Sequence, residues 1–451
     1  MLKQAGSLKP LYSAFPRFYC SSTCGDTVAN VSHNVSAKQQ LYITDPISPG
    51  SIFFLPNGTK VFNKLVNFMK LQQQHKFGFQ EVMSPLIYRK SLWERSGHWE
   101  NYKEDMFRVE GQDIEKEEYG LKPMNCPGHC IIFKSSSRSY NELPLRYSDF
   151  SPLHRNEASG ALSGLTRVRK FHQDDGHIFC TPDQVESEIK SSLELVDLCY
   201  TRIFRLGLNG TATTYSLRLS TKPENHIGSP EVWDKAESVL RNILESSGKK
   251  WSVSEGDGAF YGPKIDVILT DHRGKAHQVA TIQLDFNLPE RFDLKFKDKD
   301  NNYKRPIMIH RAVFGSLERF MAMLIDSNNG KWPFWLSPHQ CMIIPLNTKD
   351  EGMVQKAKEI TSILRGENTP VDIPVKLNSL HFNVDVDDRA EPAGYRIKDA
   401  IMKNYSYLIM VGAKEIESGK YAIRSRESRE LSHLSIDQIM NKFRDLEENY
   451  L

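Results

Sequence analysis

Long apolar runs are missing from this chain of 451 residues. No stretch approaches the ~18 consecutive apolar residues of a membrane-spanning helix, and the run YLIMVG around Met410 is predicted to be a buried strand. Internal repeats and low-complexity tracts are also missing. The net charge of +3 is too small to argue by itself for a nucleic-acid partner. With 39% hydrophobic and 25% charged residues, the composition is typical of a globular protein of two or three domains.

Cysteines with short-range disulfide spacing are absent as well. Such spacing would indicate a secreted scaffold held together by disulfides, whereas scattered cysteines predict reduced thiols in an intracellular compartment. The seven cysteines are Cys20, Cys24, Cys126, Cys130, Cys180, Cys199 and Cys341.

Acidic residues are missing before Asp26, and the same segment is basic and rich in serine. This composition is typical of a mitochondrial transit peptide and predicts the mitochondrial matrix, although a disordered cytosolic tail is an alternative. Arg17-Phe18-Tyr19, followed by a cysteine, is similar to a matrix-protease cleavage site. Residues 20–40 are predicted to be an unstructured linker.

The central part of the chain predicts a mixture of helices and strands. After residues 56–58, the spacing of four apolar residues predicts an amphipathic helix. Five runs predict strands: FQEVMSPLIYR, the pair LPLRYSDFSPLHRNE and LTRVRKFHQDDGHIFC around a Gly-rich loop, ATIQLDFNLPERFDLKF, and RPIMIHRAVFG. GSLERFMAMLID predicts a second helix. The apolar faces of the two helices are Val61, Leu65, Phe68 and Leu71, and Leu317, Phe320, Met321 and Leu324.

After the hinge WPFWLSPHQ, strand and helix patterns alternate, which favours a small α/β domain on a mostly parallel sheet. The predicted strands are QCMIIPLN, VDIPVKLN, YSYLIMVGA and KYAIRSR. The predicted helices are VQKAKEITSILRG, GYRIKDAIMKN and SIDQIMNKFRDLEENYL.

Cys126, His177 and His310 are far apart in the chain, but a Cys/His/His set can hold zinc and leave one position open for a substrate. Spacing alone is weak evidence, because scattered soft ligands are usually unrelated residues. Their flanking runs are LKPMNCPGHC, VRKFHQDDGHIFC and IMIHRAVFGSLERF.

These runs resemble the catalytic core of threonyl-tRNA synthetases, which are class II aminoacyl-tRNA synthetases, and the resemblance extends from about Leu41 to Leu451. It implies an α+β class II catalytic core, an antiparallel sheet with helices, over residues 41–335. An α/β anticodon-binding domain would follow over residues 336–451, and residues 1–40 would be presequence and linker. The implied partners are L-threonine, ATP and tRNA(Thr), with no membrane.

The run that ends at Pro85 resembles class II motif 1, which forms the dimer interface in that family, so the resemblance implies a homodimer. At most about fifty residues precede the resembling core. We therefore expect no room for the N-terminal editing domain that many family members carry.

Five residues match the family's ATP-binding motifs. The resemblance implies that Arg155 bridges the α-phosphate and the amino-acid carboxylate, and that Arg319 binds the γ-phosphate, with Arg167 as a second candidate. Glu157 would accept from the adenine amino group, and Phe171 would stack under the base, with Mg²⁺ accompanying ATP. Fixed arginines suit phosphoryl chemistry, which depends on charge stabilisation. The alternative is that these arginines are solvated strand ends.

The resemblance also implies one zinc ion per subunit, held by Cys126, His177 and His310. Threonine and valine have the same shape, and an apolar pocket separates a hydroxyl from a methyl group poorly. Zinc can take the α-amino group and the hydroxyl together. Asp175 would accept the hydroxyl proton and Gln173 would line the pocket, because residues two apart in a strand share a face.

His129 and Cys130 lie close enough to Cys126 to be rival ligands, but the family places neither on the metal. Cys180 is predicted to be a buried thiol.

Tyr261 and Lys264, in GDGAFYGPKID, match a loop that contacts the substrate amine, with Lys264 as a catalytic candidate. Gln283 and Ser316 complete the matching pocket. For each of these four residues alone, a core or turn role is an equally good interpretation.

The last domain has 16 Lys and Arg against 18 Asp and Glu residues, so charge gives no indication of RNA binding. The run VGAKEIESGKYAIR resembles the family's anticodon-reading segment, and Glu415 and Arg424 are the implied base contacts.

Two alternatives stay open. A prolyl-tRNA synthetase-like enzyme shares the architecture and should lack the Cys/His/His set. A synthetase-derived accessory protein would bind RNA without catalysis.

Overall fold

The computed structural model describes residues 34–451 except 111–117, 207–214, 271–275, 368, 371 and 377–378. The predicted transit peptide and its cleavage site lie outside these residues. Among the described helices, none combines the length and the apolarity that a bilayer crossing requires. The five described cysteines are all free and buried.

An eight-stranded sheet forms the centre of the first domain. Its inner strands are all antiparallel, and only the outermost pair at each edge is parallel. In spatial order the strands are Trp251–Ser254, Tyr215–Ser220, Lys264–Thr270, Ala276–Asp285, Ile307–Ala312, Asp175–Cys180, Leu145–Asp149 and Gln80–Glu81. The predicted antiparallel sheet is confirmed.

The two faces of this sheet are covered differently. On one face Ile178, Ile282 and Ile309 belong to the main core, which four long helices complete. These helices are Pro56–Leu71, Val185–Asp197, Pro230–Ser246 and Leu317–Asn328. On the other face the short helices Cys126–Lys134 and Asn287–Arg291 pack around a smaller cluster. The remainder of that face is where the candidate site lies.

Both predicted helices of this domain exist. All four apolar residues of the helix Leu317–Asn328 are buried, as predicted. The helix Pro56–Leu71 starts earlier than predicted, because Pro56 is well suited to a first turn, where its missing N–H leaves no bond unmade. Leu71 is 49% exposed, so the buried face of this helix does not extend to its last residue.

The prediction of a strand through FNLPERF is wrong. The chain turns after Asp285, whose Oδ1 accepts hydrogen bonds from the backbone N–H groups of Asn287 and Leu288. This carboxylate starts the helix Asn287–Arg291. Local hydrogen bonding by an aspartate therefore overrides the strand pattern.

Short strands and helices surround the main sheet. The small sheets are Tyr42–Ile43 with Phe53–Phe54; Ile87–Arg89, Tyr119–Leu121 and Arg108–Val109; Pro152–His154 with Lys170–His172; and Tyr303–Lys304, Phe296–Lys297 and Arg138–Ser139. The short helices are Lys90–Ser96 and His98–Tyr102.

The first described residues pack onto the body of the domain, so the prediction of an unstructured linker is wrong for residues 34–40. Residues 34–39 are helical. Gln39 is 1% exposed, donates to the carbonyl of Gly330 at 2.7 Å and accepts from Trp332 Nε1 at 2.8 Å. These bonds fix the segment to the end of the helix Leu317–Asn328 and to the hinge.

The last part of the chain forms a five-stranded sheet with its own core. Its strands, in order, are Val384–Val386, Cys341–Pro345, Tyr407–Val411, Tyr421–Ser425 and Ser432–Leu434. The first three are parallel and the last two pairings are antiparallel, so the sheet is mixed rather than mostly parallel. Its helices are Glu351–Arg365, Ala393–Met402, Ala413–Ser418 and Ile436–Glu448.

One predicted strand of this sheet is in the wrong place. The described residues of VDIPVKLN form no strand, and Ile373 and Val375 are both more than half exposed. Val384, which is 1% exposed, lies in the strand that pairs with Cys341–Pro345 instead. Burial against the sheet, rather than local apolar pattern, decides which segment becomes the strand.

Candidate active site

A row of side chains crosses the open face of the main sheet. Lys264 pairs with Gln283, Gln283 with His310, and His310 with His177. Directly opposed residues on neighbouring strands project from the same face. Four strands therefore place these polar side chains next to one another on this face of the sheet.

Cys126 completes a cluster with the two histidines. It is the first residue of the helix Cys126–Lys134, which packs on the same face of the sheet. One ligand atom from each of Cys126, His177 and His310 lies within 4.8 Å of the others, and all three residues are buried. The structure thus brings together three side chains that the sequence separates by up to 184 positions, from 126 to 310.

Each histidine of this cluster is oriented by a partner on its outer ring nitrogen. His310 Nε2 donates to Asp285 Oδ2 at 2.8 Å, and His177 Nδ1 lies 2.8 Å from His129 Nδ1. The inner nitrogens, His177 Nε2 and His310 Nδ1, face each other at 3.0 Å. Metal-ligating histidines are typically held in this way, with the outer nitrogen hydrogen bonded and the inner one directed at the ion.

Burial sets the protonation of the cluster. It lowers the pKa of His177 well below the usual value, with the neighbouring His129 as a further cause. It raises the pKa of the Cys126 thiol well above its usual value, with the charge of Asp175 as a further cause. The imidazole is therefore neutral and offers a lone pair, and loss of the thiol proton requires a positive charge beside the sulfur.

The rival ligands lie outside the cluster. His129 contacts His177 and has its Nε2 3.6 Å from Asp149 Oδ2. Cys130 Sγ contacts Met308 Sδ at 3.8 Å. Cys180 is fully buried.

Two contacts of the cluster have no counterpart in the sequence analysis. Asp285 lies two residues after Gln283 in the same strand, so strand alternation could have placed it on this face. His98 Nε2 lies 3.7 Å from Cys126 Sγ. His98 belongs to a separate short helix, and no feature of the sequence predicted this contact.

Asp175 lies next to the cluster, and Gln173 precedes it by two residues. Asp175 has a side chain only 13% exposed, with Oδ1 3.9 Å from His177 Nε2, and Oδ2 accepts from Asn125 Nδ2 at 3.0 Å. Burial raises the pKa of Asp175, and the histidines and Asn125 oppose this effect.

Gln173 forms an isolated bridge with Ser316. Ser316 caps the helix Leu317–Asn328, where its Oγ accepts from the backbone N–H of Arg319 at 3.3 Å.

Tyr261 and Lys264 line the other end of the row. The Tyr261 ring stacks on His310 with centroids 4.9 Å apart, and its hydroxyl donates to Gln283 Oε1. Lys264 Nζ lies 2.9 Å from Asp266 Oδ2. The lysine is therefore paired within the protein.

The predicted nucleotide-binding residues gather on the hairpin Pro152–His154 with Lys170–His172 and on the helix that Ser316 caps. The Arg155 guanidinium lies 5.1 Å from the centroid of the Phe171 ring. Arg167 forms an ion pair with Glu157 at 2.7 Å. Burial lowers the pKa of Arg319, with the charge of Arg167 as the second cause. Two arginines thus approach closely enough to repel each other, which is a favourable arrangement for an anion.

Glu415 and Arg424 lie in the second domain and take no part in this site. Glu415 is in the helix Ala413–Ser418, which packs against the strand that contains Arg424. The Arg424 Nε is buried and has no hydrogen-bond partner among the described residues.

Comparisons with known proteins agree on this architecture. A family model described as tRNA synthetase class II core domain (G, H, P, S and T) matches residues 107–328, and one described as anticodon binding domain matches residues 340–446. The mitochondrial threonine–tRNA ligase of Saccharomyces cerevisiae is 64% identical over 94% of this chain and 93% of its own length. The chain belongs to the threonyl-tRNA synthetase family.

Solved structures support the same assignment. The RNA binding domain of threonyl-tRNA synthetase from Cryptosporidium parvum is 40% identical, with a TM-score of 0.84 over 92% of this chain and 98% of that one. The prolyl-tRNA synthetase of Giardia lamblia shares the fold, with a TM-score of 0.67 over 94% of this chain and 81% of that one, at 17% identity. The predicted fold class is confirmed, and the chain is a class II aminoacyl-tRNA ligase.

Proposed function

We propose that this chain activates L-threonine with ATP and transfers the threonyl group to the 3′ end of tRNA(Thr). The observation that carries the proposal is the convergence of Cys126, His177 and His310 beside Asp175 on the open face of a class II sheet. Pyrophosphate exchange by the purified protein tests it. Exchange should depend on threonine and not on proline. Proline-dependent exchange supports the prolyl rival, and no exchange with any amino acid supports a non-catalytic accessory protein.

The donor set fits zinc. Two imidazole nitrogens and one sulfur are ligands that zinc prefers, and three protein ligands leave a position for a substrate. The hydrogen bonds to Asp285 and His129 orient both rings toward the cluster. When bound, zinc supplies coordination positions for the α-amino group and the side-chain hydroxyl of threonine.

The surrounding residues complete the recognition of threonine. Asp175 accepts the hydroxyl proton, and the position of its Oδ1, 3.9 Å from His177 Nε2, supports this role. Gln173, Tyr261 and Gln283 line the pocket, and the Tyr261–Gln283 hydrogen bond keeps both side chains in place. Ser316 closes the end next to Gln173. In this role Lys264 contacts the substrate from the far end of the row and is oriented by Asp266.

ATP binds with Mg²⁺ on the side of the arginines. Arg155 bridges the α-phosphate and the threonine carboxylate, and Arg319 with Arg167 binds the γ-phosphate. The triphosphate relieves the repulsion between Arg167 and Arg319. As Arg167 turns to the phosphate it releases Glu157, whose carboxylate then accepts from the adenine amino group. Phe171 supports the base from below.

The protein works as a homodimer through the segment around Pro85. Met83 is 85% exposed, and Leu86, Ile87 and Ile131 are also exposed. The helix of Ile131 packs against this segment, since a Cβ on Gly128 would approach Tyr88 Oη to 2.7 Å. An apolar patch of this kind is typical of an interface. Light scattering should give twice the chain mass, and Met83→Lys should shift the protein toward the monomer.

The second domain reads the anticodon of tRNA(Thr), with Glu415 and Arg424 as base contacts. The helix of Glu415 packs against the strand of Arg424, which supports a shared role for the two residues. Unstacked loop bases present the acceptors that a guanidinium can bind.

The site of action is the mitochondrial matrix. The basic, serine-rich N-terminus and the 64% identity to a ligase described as mitochondrial support this location. Fractionation of cells that express the full chain tests it, with a variant that lacks residues 1–33 as the control.

A further inference from the structure

Asp174 lies between the pocket residues Gln173 and Asp175, and the proposed chemistry gives it no role. It is 0% exposed. Its Oδ2 accepts from the backbone N–H of Val313 at 2.8 Å and its Oδ1 from that of Phe314 at 2.9 Å. The carboxylate therefore joins the start of the strand Asp175–Cys180 to the chain that leaves the strand Ile307–Ala312.

A buried arginine holds this carboxylate in place. Arg311 Nη1 lies 3.5 Å from Asp174 Oδ2, and the guanidinium lies 4.4 Å from the centroid of the Phe79 ring. The guanidinium of Arg311 fits here because residue 176 is glycine. A Cβ on Gly176 would approach Arg311 Nη2 to 2.7 Å. Burial raises the pKa of Asp174 to about 7, and Arg311 and the two backbone donors oppose this effect. Such a pair is costly to bury unless every partner is in place.

The chain that Asp174 binds leads directly to the nucleotide side of the site. After Phe314, Gly315 turns with φ of 65° into Ser316, which caps the helix that carries Arg319. Ser316 also bridges to Gln173. Phe314 provides the second backbone N–H bound by Asp174, and only four residues lie between Phe314 and Arg319.

We propose that Asp174 is a positioning residue that couples the threonine pocket to the ATP site. The proposal rests on the proposed function. Threonine that binds beside Gln173 and Asp175 fixes the backbone of Asp174, and its carboxylate then fixes Val313, Phe314 and the turn to Arg319. Coupling between two ligands is reciprocal, so ATP must tighten threonine binding by the same factor.

The test is the threonine dissociation constant, measured by calorimetry with and without a non-hydrolysable ATP analogue. Wild-type protein should bind threonine at least about fivefold more tightly with the analogue. In Asp174→Asn this ratio should fall to about one, and the KM values of threonine and ATP should both rise. Asp387→Asn is the matched control, because Asp387 is also buried and bound to an arginine, Arg389 at 2.8 Å, but lies in the second domain.

A ratio of one in the wild-type protein, or an unchanged ratio in Asp174→Asn, overturns the proposal. Absence of threonine-dependent exchange in the wild-type protein instead overturns the proposed function. If Asp174→Asn does not fold, hydrogen exchange of the backbone amides in the wild-type protein tests the coupling instead. Threonine alone should slow hydrogen exchange at the backbone N–H groups of Val313 and Phe314. Unchanged hydrogen-exchange rates at both groups contradict the coupling.

Discussion

His177 and His310 lie directly opposite each other on neighbouring antiparallel strands, with His177 Nε2 and His310 Nδ1 3.0 Å apart. Their outer nitrogens contact His129 and Asp285. Two rings held in this way cannot turn aside without breaking a buried hydrogen bond. The pair is a rigid half of the candidate metal site, and the helix that starts at Cys126 brings the third ligand.

Replacing any one of the three ligands should remove zinc. We expect Cys126→Ser, His177→Ala and His310→Ala to lose the metal and threonine activation, because two ligands hold zinc poorly in a site built for three. Metal analysis of purified protein measures this. Cys130→Ser, one helical turn from Cys126, is the control and should keep about one zinc per chain. Full metal content in one of the three variants would exclude that residue from the site.

Asp285→Asn should weaken zinc binding without removing a ligand. The amide keeps an oxygen for the backbone N–H groups of Asn287 and Leu288 but loses the charge that orients His310. Changes of this kind cost about 10–100-fold in metal affinity. Competition with a chelator measures the affinity, and circular dichroism checks the fold. Unchanged affinity would mean that packing alone orients the ring.

Loss of either nucleotide-binding arginine should abolish adenylate formation while the fold survives. Arg155→Ala and Arg319→Ala each remove a fixed cation from a site that depends on charge, so we expect about a hundredfold or greater loss in pyrophosphate exchange. Arg305→Ala removes an exposed arginine that is paired with Glu290 and should be near normal. A near-normal rate in either site variant refutes the assigned role.

Substitutions in the second domain should separate charging from activation. Glu415→Ala and Arg424→Ala should weaken aminoacylation of tRNA(Thr) and leave threonine-dependent exchange unchanged, because both residues lie outside the catalytic site. Glu417→Ala, on the same helix as Glu415, is the control. Equal losses in both assays would indicate misfolding or a wrong domain assignment.

The pocket should reject valine strongly and serine poorly. Valine offers no hydroxyl and leaves buried polar groups unpaired, for which discrimination reaches about four orders of magnitude. Serine keeps the hydroxyl and lacks one methyl group, which is worth roughly 1–3 kcal/mol. The ratios of kcat/KM in pyrophosphate exchange measure both. Efficient valine activation would show that the hydroxyl is not recognised.

Local sequence was enough to predict most of the elements that carry the site, whereas the site residues were implied by the resemblance to the family. The helix Leu317–Asn328 buries all four residues that its spacing predicted, because one helical face against a core is a local property. The three candidate metal ligands were also predicted, and the structure brings them together. Their roles stay predictions until metal and activity are measured.

Tertiary structure alone decided which segments meet. Strand register places His177 opposite His310, although no periodicity in the sequence links positions 133 residues apart. Gln39 shows the same limit: a polar residue in a segment predicted to be unstructured is buried because Gly330 and Trp332 offer it hydrogen bonds. Residue type and local spacing are properties of the chain, whereas hydrogen-bond partners across strands exist only once distant segments have packed.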